Sequence, residues 1–329
     1  MIEVKNLSKN YGSHTAVKDL SFTVESGQVY GFLGPNGAGK STTMNIITGC
    51  LAATQGQVLI DGYDIFDNPK EAKKKIGYLP ELPPVYPDMS VYEYLLFVAR
   101  AKGVAKADIK AQVDAVMAKT GISDVSRRII KVLSKGYRQR VGIAQALLGD
   151  PETIILDEPM VGLDPKQIIE MRELIRQLGT DHTVILSSHI LSEISAICDR
   201  VMIISKGRLV AVDTPENLAR VGEEKRILRL TVKGDADAVK EAVCSVDGVS
   251  EAELTSSEDG CVSLEIGMSG DTDCREAIFY RLADAKMPIL AMQINKVSLE
   301  DIFLDLTSDK AEDETEVQEV EADEGDIQA

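Results

Sequence analysis

Residues 34–42 read GPNGAGKST, and Gly34, Gly39, Lys40 and Ser41 fit the pattern G-x-x-x-x-G-K-[ST]. Glycines at this spacing let backbone N–H groups curl around an anion, and a following helix aims its positive end at the same point. Lys40 is then placed to bridge the β- and γ-phosphates of a nucleoside triphosphate, and Ser41 to hold Mg²⁺. Further along, TIILDEP supplies two carboxylates. Asp157 ends an apolar strand, where it can reach the Mg²⁺ shell. Glu158 follows directly, where a base can orient and polarise an attacking water. VILSSH brings His189, one of three histidines, to the end of another buried strand, which is where open α/β sheets bind their ligands. Each feature also has a structural explanation. A Gly-rich turn can simply turn, an Asp-Glu pair can cap a helix, and a lone His can pack. Their combination, with Asp157 lying 117 residues after Lys40, favours phosphate chemistry.

These residues must be positioned by a mixed α/β chain. IEVKNL, AVKDLSFTV, QVYGFLG and QVLIDG alternate as short strands, and GKSTTMNIITGCL reads as a helix. Residues 69–87 hold five of the eleven prolines and read as an irregular loop. Two helices are expected between Ser90 and Thr120, the first opened by a Ser90/Glu93 capping box and the second stopped by Gly121. TIILDEP and TVILSSH suit buried parallel strands, with PKQIIEMRELIRQLG as the crossover helix. Near Arg226 the pattern changes to β-α-β-β-α-β, a ferredoxin-like order, over about residues 226–307. Residues 308–329 have almost no bulky apolar positions and read as a disordered acidic tail.

The net charge of the 329-residue chain is −17, which argues against a nucleic-acid partner. From Asp309 onward, ten acidic residues and one Lys contribute −9, leaving −8 for the other 308 residues. The five cysteines form no C-x-x-C pair, which fits a reducing cytosol better than a disulfide framework. No apolar signal core opens the chain, and no apolar run approaches the ~18 residues of a membrane span.

Taken in order, NYG, GPNGAGKST, YLPE, LSKGYRQR, IILDEP, GLDP and SSH make residues 2–220 resemble the nucleotide-binding subunit of an ATP-binding cassette (ABC) transporter. Within that family the chain is most similar to the single-cassette ATPases of bacterial ABC-2-type exporters, which often carry a C-terminal extension of this size. The resemblance implies a P-loop NTPase cassette over residues 1–220, with a RecA-like core, an antiparallel β subdomain and a helical insert at about 88–145. It implies ATP and Mg²⁺ as ligands, ATP hydrolysis as the activity, and residues 34–42 (Gly34, Pro35, Asn36, Gly37, Ala38, Gly39, Lys40, Ser41 and Thr42) as the phosphate loop. Tyr11, before Gly12, is the expected adenine platform, although a half-buried turn Tyr would look the same.

The resemblance also interprets LSKGYRQR at 133–140. In the family, two cassettes pair head to tail around two ATP molecules, and this loop of one chain closes over the γ-phosphate held by the other. Ser134 and Gly136 keep the usual hydroxyl and the close backbone approach. Lys135 and Tyr137 depart from the usual L-S-G-G-Q, and Lys135 is expected to point to solvent. Arg138 and Arg140 are expected to pair locally. Glu81 stands where many members have a Gln that ligates Mg²⁺. Met160 and Val161 replace a frequent hydroxyl pair before GLDP, while Asp164 is retained to contact the other cassette. The implied partners are a second cassette, in a homodimer, and a separate integral membrane permease. Val85, Tyr86, Met89 and Tyr92 are candidates to touch that permease or to pack the insert itself. The expected location is cytoplasmic, peripheral on the inner face of the membrane. The alternative is a soluble ABC ATPase acting in assembly or on ribosomes. The single cassette, the absence of a heptad run and the extra C-terminal domain weigh against it. Nothing in the C-terminal domain looks catalytic, and it is read as regulatory or as support for a dimer.

Overall fold

VYGFL at residues 29–33 is buried along its whole length and becomes β3 (Val29–Leu33) inside a six-stranded sheet. Similar apolar runs form β6 (Ile76–Leu79), β7 (Thr153–Leu156), β8 (Thr183–Ser188) and β9 (Arg200–Ser205). They run parallel in the order β9-β3-β8-β7-β6, and β10 (Arg208–Asp213) lies antiparallel outside β9. Continuous apolar strands suit a parallel sheet covered on both faces. α6 (Pro165–Gly179) is the crossover from β7 to β8, with Pro165 in its first turn and the Asp164 side chain accepting the Gln167 N–H.

The computed structural model describes residues 1–218, 227–258, 260–268 and 273–295. The chain divides into units Met1–Pro215 and Glu216–Ala329. In the first unit, a second sheet is antiparallel: β1 (Ile2–Tyr11), β2 (His14–Val24), β4 (Gln55–Ile60) and β5 (Tyr63–Asp64), in the order β2-β1-β4-β5. Its strands alternate, and Ile2, Val4, Leu7, Leu20, Val58 and Ile60 point inward. They share one core with Tyr30 and Phe32 of β3 and with Met44, Ile46 and Ile47 of α1 (Lys40–Ile47). Each fully buried aliphatic side chain contributes about 1.5–3 kcal/mol. The helix that follows the glycine-rich loop is therefore anchored in this shared core.

The helical insert contains α3 (Val91–Ala101), α4 (Ile109–Lys119) and α5 (Lys135–Leu147). α3 starts with a complete capping box: Ser90 Oγ accepts the Glu93 N–H, and the Glu93 carboxylate accepts the Ser90 N–H at 3.0 Å.

The irregular loop expected over residues 69–87 is corrected in its first half. Residues 69–74 form α2 (Pro69–Lys74), and residues 76–79 form β6 at the edge of the main sheet. Pro69 sits in the first turn, where its missing N–H costs nothing, so it starts a helix instead of breaking one. β6 is only four residues long and has Gly77 inside it, too little pattern to mark a strand. A Cβ at Gly77 would come within 2.3 Å of the Ala146 carbonyl oxygen, so close packing against α5 accounts for the glycine.

The second unit follows the β-α-β-β-α-β order with β11 (Ile227–Lys233), α7 (Ala236–Cys244), β12 (Val249–Glu258), β13 (Cys261–Met268), α8 (Arg275–Asp284) and β14 (Ile289–Asn295). The sheet order is β12-β13-β11-β14, antiparallel throughout, which is the ferredoxin-like arrangement. Leu228, Leu230, Val232, Val262, Leu264 and Ile266 pack against Val239, Val243, Ile278 and Leu282 of the two helices. Cys274 is buried here, whereas Cys244 is exposed. The expected end of this domain and the acidic tail, residues 296–329, lie outside the described residues. Among the described residues no helix is long and apolar enough to cross a membrane.

Ser90→Ala removes the acceptor for the Glu93 N–H and is expected to cost about 1 kcal/mol. Chemical denaturation checks this; an unchanged midpoint contradicts the assignment of the cap.

Candidate functional site

Strand register levels the chemistry. Leu33 pairs with Ser188, and Leu156 pairs with both Leu186 and Leu79. The segments leaving β3, β8, β7 and β6 therefore emerge side by side at the carboxyl edge of the sheet.

After β3, residues 34–39 turn tightly, and Gly39 adopts φ +105 as α1 begins. A Cβ there would lie 2.6 Å from the Ala16 carbonyl oxygen. No side chain caps α1, so its first amides are available to an external anion. Lys40 is buried. Its Nζ donates to the Gly34 carbonyl at 2.7 Å and the Pro35 carbonyl at 3.2 Å, and lies 3.6 Å from Glu158 Oε1. Burial pushes the Lys40 ammonium below the usual lysine range, while the charges of Glu158 and Asp157 oppose that shift.

The two carboxylates follow β7. Ser41 Oγ donates to Asp157 Oδ1 at 3.3 Å, and Ser187 Oγ donates to the same oxygen at 2.5 Å. Ser187 Oγ also accepts the Glu158 N–H at 2.9 Å. Glu158 is buried and held at φ +48, a left-handed conformation that costs a non-glycine residue about 1–3 kcal/mol. His189 Nδ1 lies 3.2 Å and 3.1 Å from the two Glu158 oxygens. The turn carrying His189 is tied from beneath: buried Ser188 Oγ donates to buried Glu193 at 2.8 Å and accepts the Ile190 N–H at 3.0 Å.

Tyr11, Asn36, Gly37, Gly39, Lys40, Ser41, Thr42, Glu81, Glu158 and His189 line one cavity of about 530 Å³. Asp157 lies directly beneath, bonded to Ser41. Gly34 and Pro35 act through their carbonyls on Lys40, and Ala38 is buried with its N–H on the Pro35 carbonyl. The Tyr11 ring is half exposed, with Lys9 Nζ 5.2 Å from its centroid. This arrangement can hold a polyanion at the helix terminus and present a carboxylate, steadied by an imidazole, to a water beside it. No cluster of three His, Cys, Asp or Glu residues forms a metal cage among the described residues. Ser41 Oγ and Asp157 Oδ1 are instead a sparse oxygen pair, the kind that suits Mg²⁺ shared with phosphate oxygens.

Ser134, Gly136 and Asp164 are absent from this cavity's lining. Ser134 caps α5 by accepting the Tyr137 N–H, and Asp164 caps α6. Gly136 is buried under Gln167: a Cβ would lie 2.7 Å from Gln167 Oε1, the end of a flexible side chain that packs over it within the chain. Lys135 is exposed and lies beside Gly162. Arg138 donates to the Leu133 carbonyl, and Arg140 bonds the Thr120 carbonyl and Glu170.

The sequence reasoning did not single out Ser187, Glu193, His14 or Ala16, and it named Val161 only as a departure before GLDP. The last three also line the cavity. A hydroxyl ending the apolar run TVILSS was a visible signal for Ser187. His14 carried none, since it meets the site only through the hairpin that pairs it with Tyr11.

The family model described as ABC transporter matches residues 17–161. The chain is 33% identical to the linearmycin resistance ATP-binding protein of Bacillus subtilis (strain 168), over 93% of this chain and 98% of that one. It is 42% identical to the bacitracin transport ATP-binding protein of Bacillus licheniformis, over 64% of this chain and 68% of that one. A solved structure of an ATP-binding subunit of an ABC transporter superposes with TM-score 0.61 at 32% identity, covering 67% of this chain and 92% of that one.

Glu193→Ala removes the tether under His189 and is expected to lower kcat roughly tenfold or more, with KM little changed. Glu193→Gln keeps an acceptor for Ser188 and should restore most of the rate. Steady-state ATP turnover checks this; equal loss in both variants would contradict a hydrogen-bonding role.

Proposed function

This chain belongs to the ABC transporter family of ATP-binding proteins, which hydrolyse ATP to drive transport, and on that premise we propose that it is the energy-coupling subunit of an exporter. Two cassettes enclose two ATP molecules and act on a separate membrane permease. One observation carries this reading. The cavity holding Lys40, Glu158 and His189 contains none of Ser134, Gly136 and Asp164, although those residues lie at helix starts elsewhere in the same unit, with Ser134 and Asp164 exposed. A site with one wall missing is completed by the matching wall of a second copy.

In the proposed cycle the amides at the start of α1 and Lys40 take the phosphates. Lys40 exchanges the Gly34 and Pro35 carbonyls for phosphate oxygens, and its pull on Glu158 is relieved. Glu158 orients the attacking water and accepts its proton, while His189 holds the carboxylate and faces the γ-phosphate. Tyr11 stacks on the adenine. Ser134 and the first amides of α5 from the partner copy close over the γ-phosphate, and Asp164 meets the opposite cassette. Ser41 and Asp157, with Glu81 at the rim, would hold Mg²⁺, which supplies charge neutralisation for the phosphates. Since closure assembles the site, ATP favours the closed pair and hydrolysis releases it.

The permease is proposed to dock on a groove of about 610 Å³ between the segment after Glu81 and the start of α5. Leu82, Pro83, Val85, Pro87 and Ile130 give it apolar walls, and Gln139 lines it with an amide that is buried and unpartnered in the chain itself. Tyr86 packs instead on the rings of Tyr94 and Phe97, within the insert. The linearmycin resistance and the bacitracin transport for which two relatives are named support outward transport, and docking on a permease would place the chain at the inner face of the membrane.

Tagged Glu158→Gln protein with ATP, recovered from gently solubilised membranes, is expected to bring down a multi-spanning protein in stoichiometric amount. Adding Val85→Glu should remove that protein while nucleotide binding persists. Recovery of soluble or ribosomal partners alone would overturn the reading.

A further inference from the structure

Away from the nucleotide site, α2, the end of α3, α4 and the end of α5 surround a cavity of about 430 Å³. It shares no lining residue with the nucleotide cavity or with the apolar groove. Its charge is unusual for this chain. Asp and Glu number 53 against 36 Lys and Arg overall, yet the lining contains Lys70, Lys73, Lys74 and Lys102 and no carboxylate. Four ammonium groups around one concavity repel one another unless something anionic lies between them.

Part of that charge is used within the fold. Lys102 Nζ donates to the Ala146 and Leu148 carbonyls at 2.9 Å and 2.8 Å, covering acceptors at the C-terminal end of α5. Lys73 donates to the Gly49 carbonyl at 3.0 Å. Neither duty exhausts an ammonium group, which has three donors. The Lys70 and Lys74 side chains have no ion pair or hydrogen bond among the described residues, although Lys75 beside them is paired with Glu152. Gln112 accepts the Gly149 N–H through Oε1, so its NH₂ is a further donor at the wall. The cavity thus offers several unspent N–H donors, no acceptor side chain with negative charge, and a volume in the range of small-ligand sites.

We propose that this cavity is a second anion site, which takes a multiply charged phosphate group such as a diphosphate or a phosphomonoester. Lys70 and Lys74 are its mobile clamps, while Lys73 and Lys102 are fixed donors held in place by their carbonyl bonds. The phosphate can belong to a free metabolite or to a lipid headgroup, and the chemistry of recognition is the same.

The test uses the full chain with its nucleotide site filled by saturating ADP. Calorimetric titration with pyrophosphate is expected to show one further site per chain. Lys70→Glu/Lys74→Glu, both exposed positions, should weaken it at least tenfold while ADP binding is unchanged. Flotation with vesicles of phosphatidylcholine containing phosphatidic acid then separates the sources. Capture by those vesicles, lost in the variant and absent with phosphatidylcholine alone, assigns a lipid headgroup. Pyrophosphate binding without vesicle capture assigns a free phosphate compound. No pyrophosphate site and no vesicle capture, or binding that the double variant leaves intact, would overturn the proposal.

Discussion

Register among β3, β8 and β7 is the constraint on which the rest of this structure depends. A parallel strand displaced by one residue would turn its buried side chains toward the opposite face. Here it would also separate Ser187 from Asp157 and Glu158. The observed pairing puts Leu33 beside Ser188 and Leu156 beside Leu186, so one hydroxyl can bond both carboxylate-bearing residues. That bridge helps hold Glu158 in its left-handed backbone conformation and within reach of His189. The apolar runs that look like mere core are therefore what sets the distances in the site.

A second consequence is electrostatic. Lys40 is buried with Glu158 nearby and bonds carbonyl oxygens of its own loop. Burial disfavours its charge, and the neighbouring carboxylates restore part of it. A phosphate group entering the cavity meets a cation whose present partners are neutral carbonyls and one carboxylate. Exchanging them for phosphate costs little reorganisation, because α1 is already anchored in the core by Met44, Ile46 and Ile47.

Much of this was legible from the residues. Strong local signals were read directly: the apolar strands, the Ser90/Glu93 box, the crossover helix and the β-α-β-β-α-β order of the second unit. Misreading set in where tertiary packing overrides local pattern. Pro69 and Gly77 signal a loop by composition, but one starts a helix and the other permits close contact with α5. Ser187 and Glu193 were passed over because their roles depend on neighbours 30 residues and 5 residues away that only the fold aligns. Gly136 teaches the opposite lesson. The Gln167 side chain of the same chain already packs over it, so the residue type alone does not establish contact with a partner's phosphate.

In the proposed cycle ATP is enclosed between two copies, one contributing Lys40 and Glu158 and the other Ser134. Sedimentation velocity of the Glu158→Gln chain, with and without ATP and Mg²⁺, tests it most directly. An ATP-dependent dimer is expected, and it should disappear when Ser134→Arg is added to the same chain. A chain whose association state ignores ATP, or an ATP-dependent dimer indifferent to Ser134→Arg, would contradict it.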